Sequence, residues 1–217
     1  MLASAKKCTH VEKKDKMVKV REDLVGKTNG EKIMSKELLI TLTGRSGCGK
    51  SAIAERLNRK FGYIQAKSYT TRPIRTECEG DELTHTFIEP QQVIEYKNDI
   101  VAYNEYNGYE YFVTNKMLEN CQFYVVDKQG LIQLYKNYHD KDILSIYIDC
   151  DSSIASRRMA QRGDSDEQIM QRLQYDEKAF EGCKEFCDFV IPNEIQNGIN
   201  DIVDWIDSLY RYYRIRG

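Results

Sequence analysis

A short glycine-rich turn behind an apolar run constrains this chain more than any other feature of its sequence. Residues 38–43 read Leu-Leu-Ile-Thr-Leu-Thr and predict a buried strand, while residues 50–57 predict a helix with one apolar face. The turn between them fits the pattern G-x-x-x-x-G-K-[ST], whose fixed positions are Gly44, Gly49, Lys50 and Ser51. Because the turn lies between a strand and a helix, it predicts a site for a nucleoside triphosphate.

Each residue type in this turn has a physical role in binding phosphate. Glycines let consecutive backbone N–H groups curl around an anion, and the N-terminus of the next helix adds its positive end. We expect the Lys50 ammonium to contact the β- and γ-phosphate oxygens and the Ser51 hydroxyl to coordinate Mg²⁺. The residues between the fixed positions, which complete the predicted cradle, are Arg45, Ser46, Gly47 and Cys48.

Composition narrows the class of protein. The 217 residues, 41% hydrophobic and 30% charged, suit one globular domain with a real core. A net charge of −2 argues against a general nucleic-acid binder or an anionic-membrane binder. We find no apolar run long enough to span a bilayer and no signal-peptide core, so we expect a cytoplasmic protein with no membrane partner.

The first 36 residues differ from the rest. They are rich in lysine and poor in large apolar residues, which predicts a poorly ordered tail over residues 1–36. The simplest interpretation is a solvated extension, and a natural translation start at Met34 is an alternative that the sequence leaves open.

A second anion site is predicted downstream of the phosphate loop. Arg72 and Arg75 lie three residues apart, beside hydroxyl side chains and a proline, in the run S-Y-T-T-R-P-I-R-T-E over residues 68–77. Guanidinium groups bind the oxygens of a phosphomonoester in pairs, so this run suits such a ligand. A solvated basic loop would show the same composition.

Two further segments carry charge to the same region. Residues 123–126 predict a buried strand that delivers the carboxylate of Asp127 to its C-terminal edge, where it can hold Mg²⁺ through water or accept a hydrogen bond from substrate. Residues 157–172 interleave arginines with Gly163 and acidic residues. Arginines on a closing segment stabilise the charge that spreads over a transferring phosphoryl group and exclude water.

Taken together, these blocks resemble the guanylate kinase family. The run S-Y-T-T-R-P-I-R-x-E after G-R-S-G-C-G-K-S is similar to the family's Ser-x-Thr-Thr-Arg-x-x-Arg insertion. The likeness continues in residues 104–111, in D-K-Q-G at 127–130, in the arginine-rich residues 158–173 and in C-D-F-V-I-P-N at 187–193. It covers the chain from about residue 37 onward.

The resemblance implies a fold and its subdivision. The expected class is a P-loop three-layer α/β/α fold with a parallel core sheet, an inserted monophosphate-binding α+β subdomain and a lid. The expected domain spans residues 37–217. Its core comprises residues 37–66, 119–156 and 176–217, its monophosphate-binding insertion residues 67–118, and its lid residues 157–175.

The resemblance also implies an activity, namely transfer of the ATP γ-phosphoryl group to GMP or dGMP with Mg²⁺. The residues that it assigns to transfer are Lys50, Arg75, Arg162 and Arg172. Arg158 and Asn193 join the loop residues 44–51 on the ATP side. The acceptor residues it implies are Ser68, Arg72, Arg75, Glu77, His85, Tyr111 and Asp127. The Mg²⁺ ligands are Ser51 and Asp127.

Departures from the family pattern fall where the base is read. His85 stands where a phosphate-binding tyrosine is expected, and it either donates to phosphate or is a surface strand residue. Ala102 stands where the family has the glutamate that reads guanine. Glu105 could supply the missing carboxylate, but it lies an odd number of residues from Ala102 and so faces the other side of a strand. Thr114 either supplies a hydroxyl to the site or caps the next helix.

Three alternatives to a guanylate kinase follow from these residues. The same chemistry can serve a non-guanine nucleotide or a sugar phosphate, which the change at Ala102 favours. A non-catalytic interaction module is disfavoured because Gly49, Lys50 and Ser51 are intact. A regulatory ATPase would hydrolyse ATP without any acceptor.

Overall fold

The computed structural model of the chain describes residues 37–74, 84–194 and 198–215. The predicted tail at residues 1–36 lies outside them, as do Arg75 and Glu77. The strands are β1 (Leu38–Thr43), β2 (Gln65–Ala66), β3 (Ser68–Thr70), β4 (His85–Phe87), β5 (Ile100–Tyr106), β6 (Tyr109–Thr114), β7 (Phe123–Val125), β8 (Asp142–Asp149) and β9 (Phe189–Pro192). The helices are α1 (Lys50–Phe61), α2 (Val93–Tyr96), α3 (Asn115–Leu118), α4 (Lys128–Asn137), α5 (Ser152–Gln161), α6 (Asp166–Ala179), α7 (Cys183–Phe186) and α8 (Ile199–Ile215), and a 3₁₀ turn spans Pro90–Gln92.

The larger sheet has five parallel strands in the order β2-β7-β1-β8-β9. Strand β1 lies at its centre, and all six of its residues are buried. Leu38, Ile40 and Leu42 belong to a cluster with α1 and α8, whereas Leu39 belongs to a cluster on the opposite face with α4 and α7. A central parallel strand is covered on both faces in this way, which explains its continuous apolar sequence.

The smaller sheet has the strand order β4-β3-β6-β5. Strands β5 and β6 form an antiparallel hairpin whose turn residues Asn107 and Gly108 both have positive φ, 53° and 76°. That backbone geometry matches the right-handed twist of a two-residue hairpin and explains the Asn-Gly dipeptide. This sheet lies between Ser68 and Thr114, inside the segment predicted as an inserted subdomain.

The three-layer α/β/α prediction is confirmed, with small differences at the ends of elements. Strand β2 is short, Gln65–Ala66, and β7 ends at Val125, one residue earlier than expected. Thr114 is buried and accepts a hydrogen bond from the Met117 backbone N–H at 3.3 Å, so its hydroxyl caps α3. The lid prediction, residues 157–175, covers the end of α5, a turn and most of α6.

A buried polar network joins β8 to the start of β9. The Asp188 carboxylate accepts from the Ser145 backbone N–H and hydroxyl, both at 2.9 Å, and from the Tyr135 hydroxyl at 3.3 Å. The Asp188 N–H donates in turn to Ser145 Oγ at 2.9 Å. Since Ser145 is fully buried, these bonds satisfy groups that water cannot reach.

We therefore expect Asp188→Ala to lower the free energy of unfolding by about 2–3 kcal/mol, because it leaves buried donors without an acceptor. Urea denaturation monitored by tryptophan fluorescence measures this loss. Asp188→Asn keeps one acceptor oxygen and should lose less. Equal stability of wild type and Asp188→Ala would contradict the role given to the network.

Candidate active site

The phosphate loop depends on backbone positions that accept no side chain. Gly44 and Gly49 have φ values of 146° and 96°. A Cβ on Gly44 would lie 2.4 Å from the Ile148 carbonyl oxygen, and one on Gly49 would lie 2.3 Å from Asn193 Nδ2. Any other residue at these two positions would clash and adopt a strained φ, so β8 and the residue after β9 shape the loop directly.

Lys50 folds back over the loop. Its Nζ donates to the carbonyl oxygens of Gly44 at 2.7 Å and Arg45 at 2.9 Å. Ser51, the next residue, is exposed in the first turn of α1. Ser51 is not among the residues that line the cleft described below, and its Mg²⁺ role stays a prediction.

Two residues predicted to bind ATP brace the outside of the loop. Asn193 is buried and its Nδ2 donates to the Cys48 carbonyl oxygen at 2.8 Å. Arg158 donates to the carbonyl oxygens of Gly47 at 3.4 Å and Asn193 at 3.2 Å. Neither side chain lines the cleft described next. Their ATP-binding roles stay predictions.

A cleft of about 270 Å³ opens in front of the loop, between the two sheets and α6. It brings together residues from six separate parts of the sequence. The members that matter for phosphate chemistry are Gly44, Ser46, Lys50, Ser68, His85, Tyr111, Asp127 and Arg172. The cleft is also lined by Ala102, Asn104, Tyr106, Tyr124, Tyr175 and Asp176.

The predicted acceptor residues divide into two groups. Ser68 Oγ lies 2.7 Å from His85 Nδ1, and the Tyr111 ring packs edge-on against the imidazole at 5.8 Å, so these three form one wall of the cleft. Arg72 is buried and does not line the cleft: its guanidinium lies 5.3 Å from the centre of the Phe87 ring and donates to the Pro73 carbonyl oxygen at 2.8 Å. His85 thus belongs to the cleft wall.

Asp127 lies at the junction of β7 and α4 and accepts two hydrogen bonds. Its Oδ1 accepts from the Gly130 backbone N–H at 2.7 Å, which caps α4, and its Oδ2 accepts from Asn104 Nδ2 at 2.5 Å. The carboxylate therefore has a fixed orientation at the C-terminal edge of the parallel sheet. Such an edge is where α/β folds bind ligands.

The predicted lid contains two arginines that are expected to stabilise transfer, Arg162 and Arg172, and one of them lines the cleft. Arg172 lines it from α6. Arg162 is exposed at the end of α5, where its guanidinium pairs with Asp164. In this conformation Arg162 would have to leave that pair before it could contact a ligand in the cleft.

Sequence analysis missed several cleft residues, among them Asp176 and Asn104. Asp176 is 4% exposed, and its Oδ2 accepts from the Ser46 backbone N–H at 2.6 Å, inside the phosphate cradle. No local signal marks it, because the contact spans 130 residues. Asn104 could have been found, since it lies two residues beyond Ala102 and side chains alternate along a strand.

The negative charge of Asp127 acts on two tyrosines of the cleft. Burial, and next the nearby Asp127 carboxylate, raise the pKa of both Tyr124 and Tyr175. A hydrogen bond from Asn104 partly offsets the rise in the pKa of Tyr175. Both phenols therefore stay protonated near neutral pH and offer hydroxyl groups to the cleft.

The parallel sheet and the phosphate loop define a P-loop nucleotide-binding protein of the three-layer α/β/α class. A family model described as an AAA domain matches residues 40–181. A guanylate kinase of Helicobacter pylori is 30% identical over 169 residues, 72% of this chain and 79% of the relative. A guanylate kinase of Fusobacterium nucleatum is 25% identical over 183 residues, 81% of this chain and 98% of the relative.

A solved structure supports the same fold. The crystal structure of guanylate kinase from Anaplasma phagocytophilum superposes with a TM-score of 0.55 at 23% identity, covering 83% of this chain and 87% of that one. The chain belongs to the guanylate kinase family. Among the described helices, none has both the length and the apolar character needed to cross a membrane.

The Asp176 contact generates a prediction about nucleotide binding. One backbone N–H cannot serve both a carboxylate and a phosphate oxygen, and the two anions repel each other. We therefore expect Asp176→Ala to bind MgATP more tightly than wild type, by roughly tenfold if the contact is worth a typical charged hydrogen bond. Isothermal titration calorimetry without acceptor measures this change.

Glu177→Ala is the matched control, because Glu177 is the exposed neighbour on the same helix. Its affinity should equal that of wild type. Weaker MgATP binding by Asp176→Ala would show instead that the carboxylate supports the bound nucleotide.

Proposed function

We propose that this protein is a nucleoside monophosphate kinase that transfers the γ-phosphoryl group of ATP to GMP, dGMP or a related acceptor. The observation that carries the proposal is the single cleft shared by the phosphate loop and the Ser68–His85–Tyr111 wall. Phosphoryl transfer needs little beyond positioning and positive charge, so two anion sites facing one cleft supply its main requirement.

On the donor side, the loop amides and Lys50 are proposed to hold the β- and γ-phosphates of ATP. Lys50 already lies over the loop, with its ammonium on the carbonyl oxygens of Gly44 and Arg45. Arg158 and Asn193 are proposed to fix the loop and border the nucleotide, which is consistent with their hydrogen bonds to loop carbonyls.

On the acceptor side, Ser68, His85 and Tyr111 are proposed to bind the monophosphate. The short Ser68–His85 contact holds the imidazole in place, and both ring nitrogens donate when the ring is protonated. Arg72, Arg75 and Glu77 complete this site in the proposal on the strength of the sequence. No general base is needed, because the acceptor phosphate is already anionic near neutral pH.

Arg172 is proposed to stabilise the transferring group, since it lines the cleft from α6. Arg162 joins it after leaving Asp164. Ser51 is proposed to hold Mg²⁺, which would neutralise charge on the phosphates, and Asp127 either holds the ion through water or accepts a hydrogen bond from substrate. The donor set fits this ion: a hydroxyl and a carboxylate oxygen are hard ligands, and Mg²⁺ usually takes only one or two carboxylates. Within the described ranges, no cluster of three His, Cys, Asp or Glu side chains forms a larger metal site.

A second candidate keeps the chemistry and changes the acceptor to a non-guanine nucleotide or a sugar phosphate. Ala102 favours it, because this residue is 3% exposed in the floor of the cleft and carries no polar atom for a base. A non-catalytic interaction module is disfavoured by the intact loop geometry around Gly49 and Lys50.

Purified protein with MgATP should release ADP in the presence of GMP or dGMP. A parallel assay with AMP, CMP, UMP and a ribose bisphosphate separates the first candidate from the second. ADP release without any acceptor would instead support an ATPase. Tight ATP binding with no turnover on any acceptor would contradict the proposed kinase activity.

Substitution of Lys50 tests the role of the loop in transfer. We expect Lys50→Ala to lose at least about 100-fold in kcat/KM with every acceptor, because it removes the charge that positions the β- and γ-phosphates. Lys60→Ala, on the exposed face of the same helix, is the control and should retain wild-type kinetics. A loss confined to one acceptor would argue against a donor-side role for Lys50.

A further inference from the structure

The floor of the cleft is built by one face of β5. Ala102 and Asn104 are two residues apart, so their side chains share that face, and both line the cleft. Glu105, on the other face, is exposed and does not line it. A Cβ placed on Gly130 would lie 3.9 Å from Ala102 Cβ and 3.3 Å from Asp127 Oδ1, so Ala102 and Asp127 are near neighbours.

The Asn104 amide has a defined orientation. A carboxylate accepts hydrogen bonds and cannot donate them, so the group that faces Asp127 Oδ2 at 2.5 Å must be the Asn104 NH₂. Its carbonyl oxygen Oδ1 is left as an acceptor, and among the described residues no donor binds it.

The other polar groups beside Asn104 are the Asp127 carboxylate, the Tyr103 backbone and the Tyr175 hydroxyl, whose oxygen accepts a hydrogen bond from the Asn104 amide. Each Asp127 oxygen accepts one hydrogen bond and retains a further lone pair. The backbone N–H and carbonyl of Tyr103 are both taken by the Gln133 side chain, at 2.9 and 2.6 Å. A ligand therefore meets the two acceptors Asn104 Oδ1 and Asp127 beside the apolar Ala102.

We propose that Asn104, oriented by Asp127, is the base-reading residue of this site and replaces the carboxylate missing at position 102. Two adjacent acceptors select a base edge with two adjacent donors, which is the N1–H and 2-amino edge of guanine. Adenine and cytosine present a ring lone pair next to their amino group, and uracil flanks its N–H with two carbonyl groups. Each of these would bring a lone pair against an acceptor.

Aromatic rings provide the other half of base recognition. Tyr106 and Tyr175 meet edge-to-face with centroids 5.0 Å apart, and both line the cleft beside Asn104. Such rings bind the apolar faces of any base, so they add affinity without discrimination. Discrimination is left to the polar edge, where Asn104 and Asp127 lie.

This inference rests on the proposed kinase activity, and the wild-type protein tests both. Initial rates with MgATP are measured for GMP, IMP, AMP and UMP. We expect kcat/KM for GMP to exceed that for AMP and UMP by on the order of 100-fold or more. We expect IMP, which keeps N1–H and lacks the 2-amino group, to lie between them.

Asn104→Ala tests the residue itself. We expect the KM for GMP to rise on the order of tenfold and the preference for GMP over AMP to shrink by a similar factor, with the KM for ATP unchanged. Glu105→Ala, the adjacent residue on the opposite face, should leave both acceptor parameters as in wild type. Thermal unfolding of each variant confirms that it is folded.

The outcomes are distinguishable. No transfer to any monophosphate contradicts the proposed function. Transfer that prefers AMP or UMP is compatible with the proposed kinase activity but overturns the inference about Asn104. The wild-type protein alone gives this result. A folded Asn104→Ala protein with the wild-type preference for GMP over AMP overturns it as well.

Discussion

Close packing against the glycine backbone of the phosphate loop is the constraint on which the rest of the site depends. Gly44 meets the Ile148 carbonyl and Gly49 meets the Asn193 amide at distances that leave no room for a Cβ. The loop is therefore held in shape by Ile148 in β8 and by Asn193 after β9, before any ligand arrives. Preorganised dipoles of this kind are the main source of charge stabilisation in enzymes.

The cleft in front of the loop exists because parallel strands end together. Strands β1 and β7 deliver the loop and Asp127 to one edge of the large sheet, and the smaller sheet closes the space from the side with Ser68, His85 and Asn104. Helix α6 completes it with Arg172 and Asp176, one turn apart on the same helix. Asp176 occupies a loop N–H that a phosphate would use, whereas the Arg172 charge attracts phosphate. Nucleotide binding is therefore linked to the position of this helix.

Much of this arrangement follows from local sequence patterns. The apolar run of β1, the glycines of the loop and the Phe61-Gly62 end of α1 each have a local physical cause, and the structure contains all three. Local sequence patterns were less informative about residues whose side chains have two possible roles. Thr114 had two predicted roles, and in the structure its hydroxyl caps α3. Arg72 packs on the Phe87 ring, and its phosphate-binding role stays a prediction. A given side chain can bind several kinds of partner, and tertiary packing determines which of them it contacts.

The sequence by itself determined the phosphate loop, the order of strands and helices and the family, because these depend on residues close together in the chain. Tertiary structure alone placed Asp176 in the phosphate cradle and turned the Asn104 amide toward Asp127, across 130 and 23 residues. Contacts over such separations depend on how the sheets and α6 pack. Short-range periodicity carries no information about that packing, so only the folded chain reveals which polar groups meet a ligand.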